Sequence, residues 1–214
     1  MFSPRREAGW IEVITGPMFC GKSEELIRRV KRAVIARQRV CVFKPLKDIR
    51  YDASDIVSHS QQRFTAIPIE FASEMLERVE IGTNVIGIDE AQFFGPDVVE
   101  ICEELANRGL RVIAAGLDQD FRGKPFPPMP DLMAIAESIT KLQAICMRCG
   151  SAATRSQRLT FETEQVVVGA SESYEARCRF CFEPPPIEEG EDRVESESRT
   201  YRDADLSRAA AEAN

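Results

Sequence analysis

The sequence predicts an α/β domain built on a parallel sheet, followed by a small metal-stapled module and an acidic tail. Three observations carry that prediction. Short, nearly continuous apolar runs alternate with amphipathic segments over the first two-thirds of the 214 residues, the pattern of a parallel sheet covered on both faces. A glycine-bounded loop separates the first apolar run from the first amphipathic one. Two C-x-x-C pairs then stand 28 residues apart. The expected divisions are 1–145 for the α/β part, 146–186 for the stapled module and 187–214 for the tail.

Residues 10–15 are the first expected strand. A helix is expected over 22–38, with Leu26, Ile27, Val30, Ala33 and Val34 on one face and Arg28, Arg29, Lys31 and Arg32 mostly on the other. Strand 39–43 follows, then a polar stretch, 44–62, that reads as a long loop of the functional or mobile kind. Strand 66–71 leads to a short helix over 74–79, with Ser73 as its N-cap. Strand 84–88 ends at Asp89 and Glu90. Helix 96–108 is closed by Gly109, and strand 111–117 is again apolar. Between the cysteine pairs, 158–161 and 165–169 read as short strands. Pro184, Pro185 and Pro186 end regular structure, and the acidic remainder has the composition of a disordered segment.

Charge narrows the function. The net charge is −7, and the segment from Glu183 onward holds ten acidic and four basic residues, a net of −6. The rest is nearly neutral, which argues against a general nucleic-acid surface. Residues 22–50 hold ten basic and three acidic side chains, a balance that suits phosphates or a solvated helix face. No apolar run approaches the ~20 residues that span a membrane, and the polar residues before Gly9 do not form a secretory signal. Seven cysteines, an odd number without such a signal, argue against a disulfide scaffold and for a reducing cytoplasm.

Gly16, Pro17, Met18, Phe19, Cys20, Gly21, Lys22 and Ser23 fit G-x-x-x-x-G-K-[ST] between strand and helix. Glycines there let backbone N–H groups turn toward phosphate oxygens, and the helix N-terminus adds partial positive charge. Lys22 can reach the β- and γ-phosphates of ATP, and Ser23 can ligate Mg²⁺. Asp89, at the end of a buried strand, is the expected partner of that loop and can hold the same Mg²⁺. Glu90 beside it can take a proton from an attacking hydroxyl, or can cap the next turn. Cys146, Cys149, Cys178 and Cys181 suit one tetrahedral Zn²⁺, closed and therefore structural; a redox role for the pairs is the alternative. Cys41 and Cys102 lie on apolar faces as core residues.

Together with two further stretches, these motifs resemble the type II thymidine kinases over about residues 9–182. The stretches that carry the resemblance are the glycine loop, Asp89-Glu90-Ala91-Gln92-Phe93-Phe94, Gly116-Leu117-Asp118-Gln119-Asp120-Phe121, and the cysteine quartet. Cys20 stands where that family often has serine, and Gly169-Ala170 where it often has two glycines. The resemblance implies a RecA-like domain, a zinc-stapled lasso over a nucleoside, and transfer of the ATP γ-phosphoryl group to thymidine in DNA-precursor salvage. It implies Glu90 as general base, and Asp89, Glu90, Ala91, Gln92 and Arg50 beside ATP. Met18, Leu117, Phe121 and Phe126 match residues around the thymine. Val167 and Tyr174 match lasso positions that hold the base, Ser156 and Arg158 further lasso contacts, and Asp48 a position near the sugar. Deoxyuridine as a second acceptor, dTTP as a feedback inhibitor and a homotetramer come from the same source. Two rival readings stay open on residues alone: an ATP-driven motor acting on DNA, and a zinc-dependent interaction module that only binds nucleotide.

Overall fold

A computed structural model of the chain describes residues 8–46, 55–57, 63–160 and 173–184. In chain order the elements are β1 (Trp10–Thr15), α1 (Lys22–Ile35), β2 (Val40–Pro45), β3 (Asp55–Val57), β4 (Arg63–Thr65), β5 (Ile67–Ile69), α2 (Glu74–Arg78) and β6 (Val85–Ile88). A 3₁₀ turn (Ala91–Phe93), α3 (Asp97–Asn107), β7 (Arg111–Gly116), α4 (Met129–Ile135) and β8 (Ser138–Lys141) follow. The chain then forms β9 (Ala144–Ile145), β10 (Ala152–Ala153), β11 (Arg155–Arg158) and β12 (Tyr174–Arg177).

The main sheet has six parallel strands in the order β5-β2-β6-β7-β1-β8. All four residues of β6 are buried, as are all but the first of β1 and β7. Successive side chains of a strand point to opposite faces, and the two cores divide accordingly. On one face Val112 and Ala114 of β7 join Ile86, Ile88, Leu105 and Leu132. On the other, Ile113 and Ala115 join Leu26, Ile27 and Val30 of α1. Those three α1 side chains are fully buried, which stabilises the helix on its sheet by roughly 1.5–3 kcal/mol each.

Helix ends separate what glycine announces from what it does not. Gly109, at φ 92°, closes α3 as expected: its N–H bonds the Ala106 carbonyl, and the Leu110 N–H bonds that of Leu105. The end of α1 has the same hydrogen bonds, Arg37 to Val34 and Gln38 to Ala33, but the left-handed residue is Arg37, at φ 61°. The helix therefore stops at Ile35, short of the expected 38, and Val34 is 49% exposed instead of on the buried face. Ser73 makes no side-chain cap bond. The first-turn N–H groups of Glu74, Met75 and Leu76 bond the carbonyls of Phe71, Ala72 and Ser73 instead, while the Glu74 carboxylate accepts from the N–H groups of Glu70 and Phe71 in the approach to the helix.

The remaining differences follow from polarity. Within the expected loop 44–62 lies β3, antiparallel to β4. The edge strand β8 is mostly exposed and gives no apolar run. The expected strand at 158–161 is instead the polar β11, paired with β12, and 165–169 lies outside the described residues. Cys102 is core, whereas Cys41 is only half-buried against it.

Candidate active site and cysteine centre

Sheet order sets the site. Strands β6, β7 and β1 are neighbours, so the loops at their C-terminal ends converge. Gly16 leaves β1 at φ 141°, and a Cβ there would lie 2.4 Å from the Leu142 carbonyl oxygen, so this approach admits only glycine. Gly21, at φ 85°, turns the chain into α1, whose N-terminus has no side-chain cap. First-turn N–H groups of that kind are what an anion meets at a helix start. The Lys22 ammonium curls back to donate to the Pro17 carbonyl at 2.8 Å. Burial pushes the Cys20 thiol up against the opposing charge of Lys22, which suits a packed loop residue.

The Ser23 hydroxyl lies 3.2 Å and 3.3 Å from the two carboxylate oxygens of Asp89, which is 6% exposed. Glu90, next in sequence, adopts left-handed backbone, φ 49° and ψ 44°. That rotation sends the two neighbouring carboxylates in different directions. A 3₁₀ turn follows, closed by Phe93 N–H on the Glu90 carbonyl, and it brings Gln92 back alongside. The Gln92 amide nitrogen donates to the Glu90 carboxylate at 2.5 Å, and its oxygen accepts the Leu117 N–H at 3.0 Å. Ala91 is fully buried.

A second group of side chains surrounds the turn after β7. Asp120 accepts from the N–H groups of Arg122 and Lys124, and the Phe126 N–H bonds the Asp118 carbonyl. This loop buries Leu117, Phe121 and Phe126, and Phe93 meets Phe126 edge-on at 6.3 Å. The Arg158 guanidinium stacks 3.6 Å over Phe121 and donates through Nη2 to the Tyr174 hydroxyl at 2.6 Å. Ser156, also buried, accepts the Met18 N–H at 2.9 Å and so ties β11 to the glycine loop. Asp48, Arg50 and Val167 lie outside the described residues.

Two features were not foreseen. Asp118 is 4% exposed and paired with Lys141 at 2.5 Å, while its Oδ1 has no hydrogen-bond partner among the described residues. The bonds from Gln92 to Glu90 and Leu117 are equally absent from any spacing rule. No sequence signal marks either: Asp118 on Lys141 and Gln92 on Leu117 depend on strand order, and Gln92 on Glu90 depends on the left-handed backbone of Glu90.

The sulfurs of Cys146, Cys149, Cys178 and Cys181 all lie within 4.8 Å of one another. Cys149 and Cys178 are 3.6 Å apart, near the ~3.8 Å spanned by two thiolates on a tetrahedral zinc. Turn bonds hold each pair: the Gly150 N–H on the Cys146 carbonyl, the Cys181 N–H on that of Cys178. Burial pushes the Cys146 thiol up, but N–H donors of Cys178, Arg148 and Cys149 outweigh it and bring it to about 6. Burial and the adjoining thiols push Cys181 up to about 12. Four thiolates this close oppose one another's ionisation unless a cation sits among them, so the donor set fits a thiophilic divalent ion. Phe19 and Cys20 of the glycine loop pack against this cluster.

A glycine loop on a parallel sheet, a serine–aspartate pair at its mouth and four clustered cysteines that could hold a metal are the marks of a phosphate-loop nucleotide-binding protein. A sequence model of the family described as thymidine kinase matches residues 9–182. A thymidine kinase from Rhodothermus sp. (strain ITI 518) is 56% identical over 177 residues, covering 83% of each chain. The chain belongs to the thymidine kinase family.

Proposed function

We propose that this chain transfers the γ-phosphoryl group of ATP to the 5′-hydroxyl of thymidine, giving dTMP and ADP. Family membership supports the reaction class. The observation that carries the mechanism is the Ser23–Asp89 pair at 3.2 Å beside a second, differently aimed carboxylate, Glu90. One carboxylate can thus serve the metal–phosphate side while the other serves the acceptor.

In this reading, residues 16–23 bind the ATP phosphates through backbone N–H groups, and Lys22 exchanges the Pro17 carbonyl for phosphate oxygen. Ser23 and Asp89 would hold Mg²⁺, which when bound with ATP neutralises phosphate charge. Met18, Leu117, Phe121, Phe126 and Tyr174 form an apolar and aromatic wall for the base, with Arg158 bridging Phe121 and Tyr174. Glu90 accepts the 5′-hydroxyl proton as the oxygen bonds to phosphorus, and ADP leaves with the electron pair of the broken P–O bond. The four cysteines would hold zinc, which supplies folding energy and anchors the 146–186 lasso, Val167 included. Asp48 and Arg50 complete the sugar and phosphate contacts. Deoxyuridine as a second acceptor, dTTP as inhibitor, a homotetramer and a cytoplasmic location belong to the same reading.

Steady-state turnover tests it. Thymine offers N3–H as donor and O4 as acceptor, and cytosine reverses both edges. Rejection by a hydrogen-bonding pocket should favour thymidine over deoxycytidine in kcat/KM by on the order of 10²–10⁴. Equal values for the two nucleosides, or ATP hydrolysis stimulated by DNA alone, would overturn the assignment.

A further inference from the structure

Gln92 is 3% exposed, and both ends of its amide are bonded. The orientation of that amide follows from the backbone. The Leu117 N–H is a donor, so it must meet the amide oxygen; the amide nitrogen is then left facing Glu90, where it can only donate. Space fixes the position as well. A Cβ on Gly116 would lie 2.8 Å from the Gln92 oxygen and 2.6 Å from the Met129 sulfur, so the side chain is boxed in. Residues two apart on a regular helix do not face each other. The left-handed backbone of Glu90 makes this pair possible.

We infer that Gln92 is the positioning residue for Glu90, an amide strut that transfers the rigidity of the β7 end to the carboxylate that accepts the substrate proton. This rests on Glu90 being the general base. A carboxylate on a turn has free torsions, and proton transfer requires it within hydrogen-bond reach of the acceptor hydroxyl. One short donor bond from a boxed-in amide restricts those torsions. Beside ATP, where the resemblance sets it, Gln92 would act through Glu90, since both ends of its amide are bonded within the protein.

The experiment is a kinetic double-mutant cycle on the full chain. Gln92→Met removes both amide bonds. Gln92→Glu keeps the volume and an acceptor for the Leu117 N–H, but sets a second carboxylate against Glu90, so the two must move apart or share a proton and Glu90 loses its placement as a free base. Misplacing a catalytic group by on the order of 1 Å can cost about 10²-fold, so kcat should fall roughly 10- to 100-fold in either variant. KM for ATP and for thymidine should stay within about twofold of wild type. Placed on Glu90→Gln, neither change should lower kcat further, because a positioning residue has nothing left to position. A merely structural role would instead lower kcat by the same factor in both backgrounds.

Unchanged kcat in Gln92→Glu, a rise confined to the KM for ATP, or additive losses would each overturn the inference. So would failure of the neutral Gln92→Met to fold, which would make the residue a fold strut alone. Failure of the base assignment reads out separately, as near wild-type turnover by the Glu90→Gln single variant.

Discussion

The Ser23 hydroxyl sits 3.2 Å from the Asp89 carboxylate, although 66 residues separate them in the chain. The pair joins the first turn of α1 to the end of β6, and so fixes the phosphate loop against the strand two places away in the sheet. Ser23→Ala removes this contact and the proposed oxygen ligand to magnesium. We expect kcat/KM for ATP to fall on the order of 10²-fold. The magnesium concentration for half-maximal rate should rise with it. A magnesium titration at fixed ATP checks both, and an unchanged midpoint would place the cation elsewhere.

Glu90→Gln keeps the side-chain shape and removes the proposed base. Turnover should drop by ~10²–10⁴, while calorimetric titration with thymidine and a non-hydrolysable ATP analogue gives near wild-type affinities. Wild-type kcat in this variant would remove Glu90 from the mechanism.

Purified protein should hold one zinc per chain on Cys146, Cys149, Cys178 and Cys181. Cys178→Ser should lower the metal content and the melting temperature together, because structural metal binding is coupled to folding. Elemental analysis alongside a thermal melt reads both. Full stability in a zinc-free variant would contradict the structural role.

Glu25, in the first turn of α1, gives a pH signature of its own. Its hydrogen bond with Arg28, helped by Arg29 and opposed by burial, holds its carboxyl at about 2 against an ordinary 4.5. A depressed folded value stabilises the fold above the unfolded value and ceases to do so as pH falls through the folded one. Glu25→Gln should therefore be less stable than wild type at pH 7, by no more than about 1 kcal/mol for a partly exposed pair. That gap should close between about pH 4.5 and pH 2. Denaturant melts across this range measure it, and a constant gap would show that the ion pair contributes nothing.

Legibility followed the range of each constraint. The glycine loop was readable because its backbone demands glycine at Gly16 and Gly21 within a few residues. The cysteine quartet was readable because each C-x-x-C pair is local and the four sulfurs together make a set that could hold one metal ion. Gly109 announced the end of α3; Arg37 ends α1 in the same way without announcing it. The edge strand β8 and the polar β11 carry too little apolar periodicity to be seen. Gln92 on Leu117, Asp118 on Lys141 and Ser156 on Met18 were invisible for another reason: their partners become neighbours only once the strands are ordered.

The Ser156 bond to Met18, with Phe19 and Cys20 packed on the cysteine cluster, bears on how the molecule can be re-engineered. Grafting 146–184 from a relative looks like a way to exchange nucleoside preference on a fixed ATP-binding chassis. The seam of such a graft would run through the underside of the glycine loop. A donor segment with a larger residue at position 156, or a different surface facing Phe19, would tilt the phosphate grip while leaving every phosphate-binding residue in place. Its cost would then register as weakened ATP affinity, although no ATP-binding residue had been exchanged. A successful chimera should therefore import residues 18–20 together with the cysteine module, as one unit.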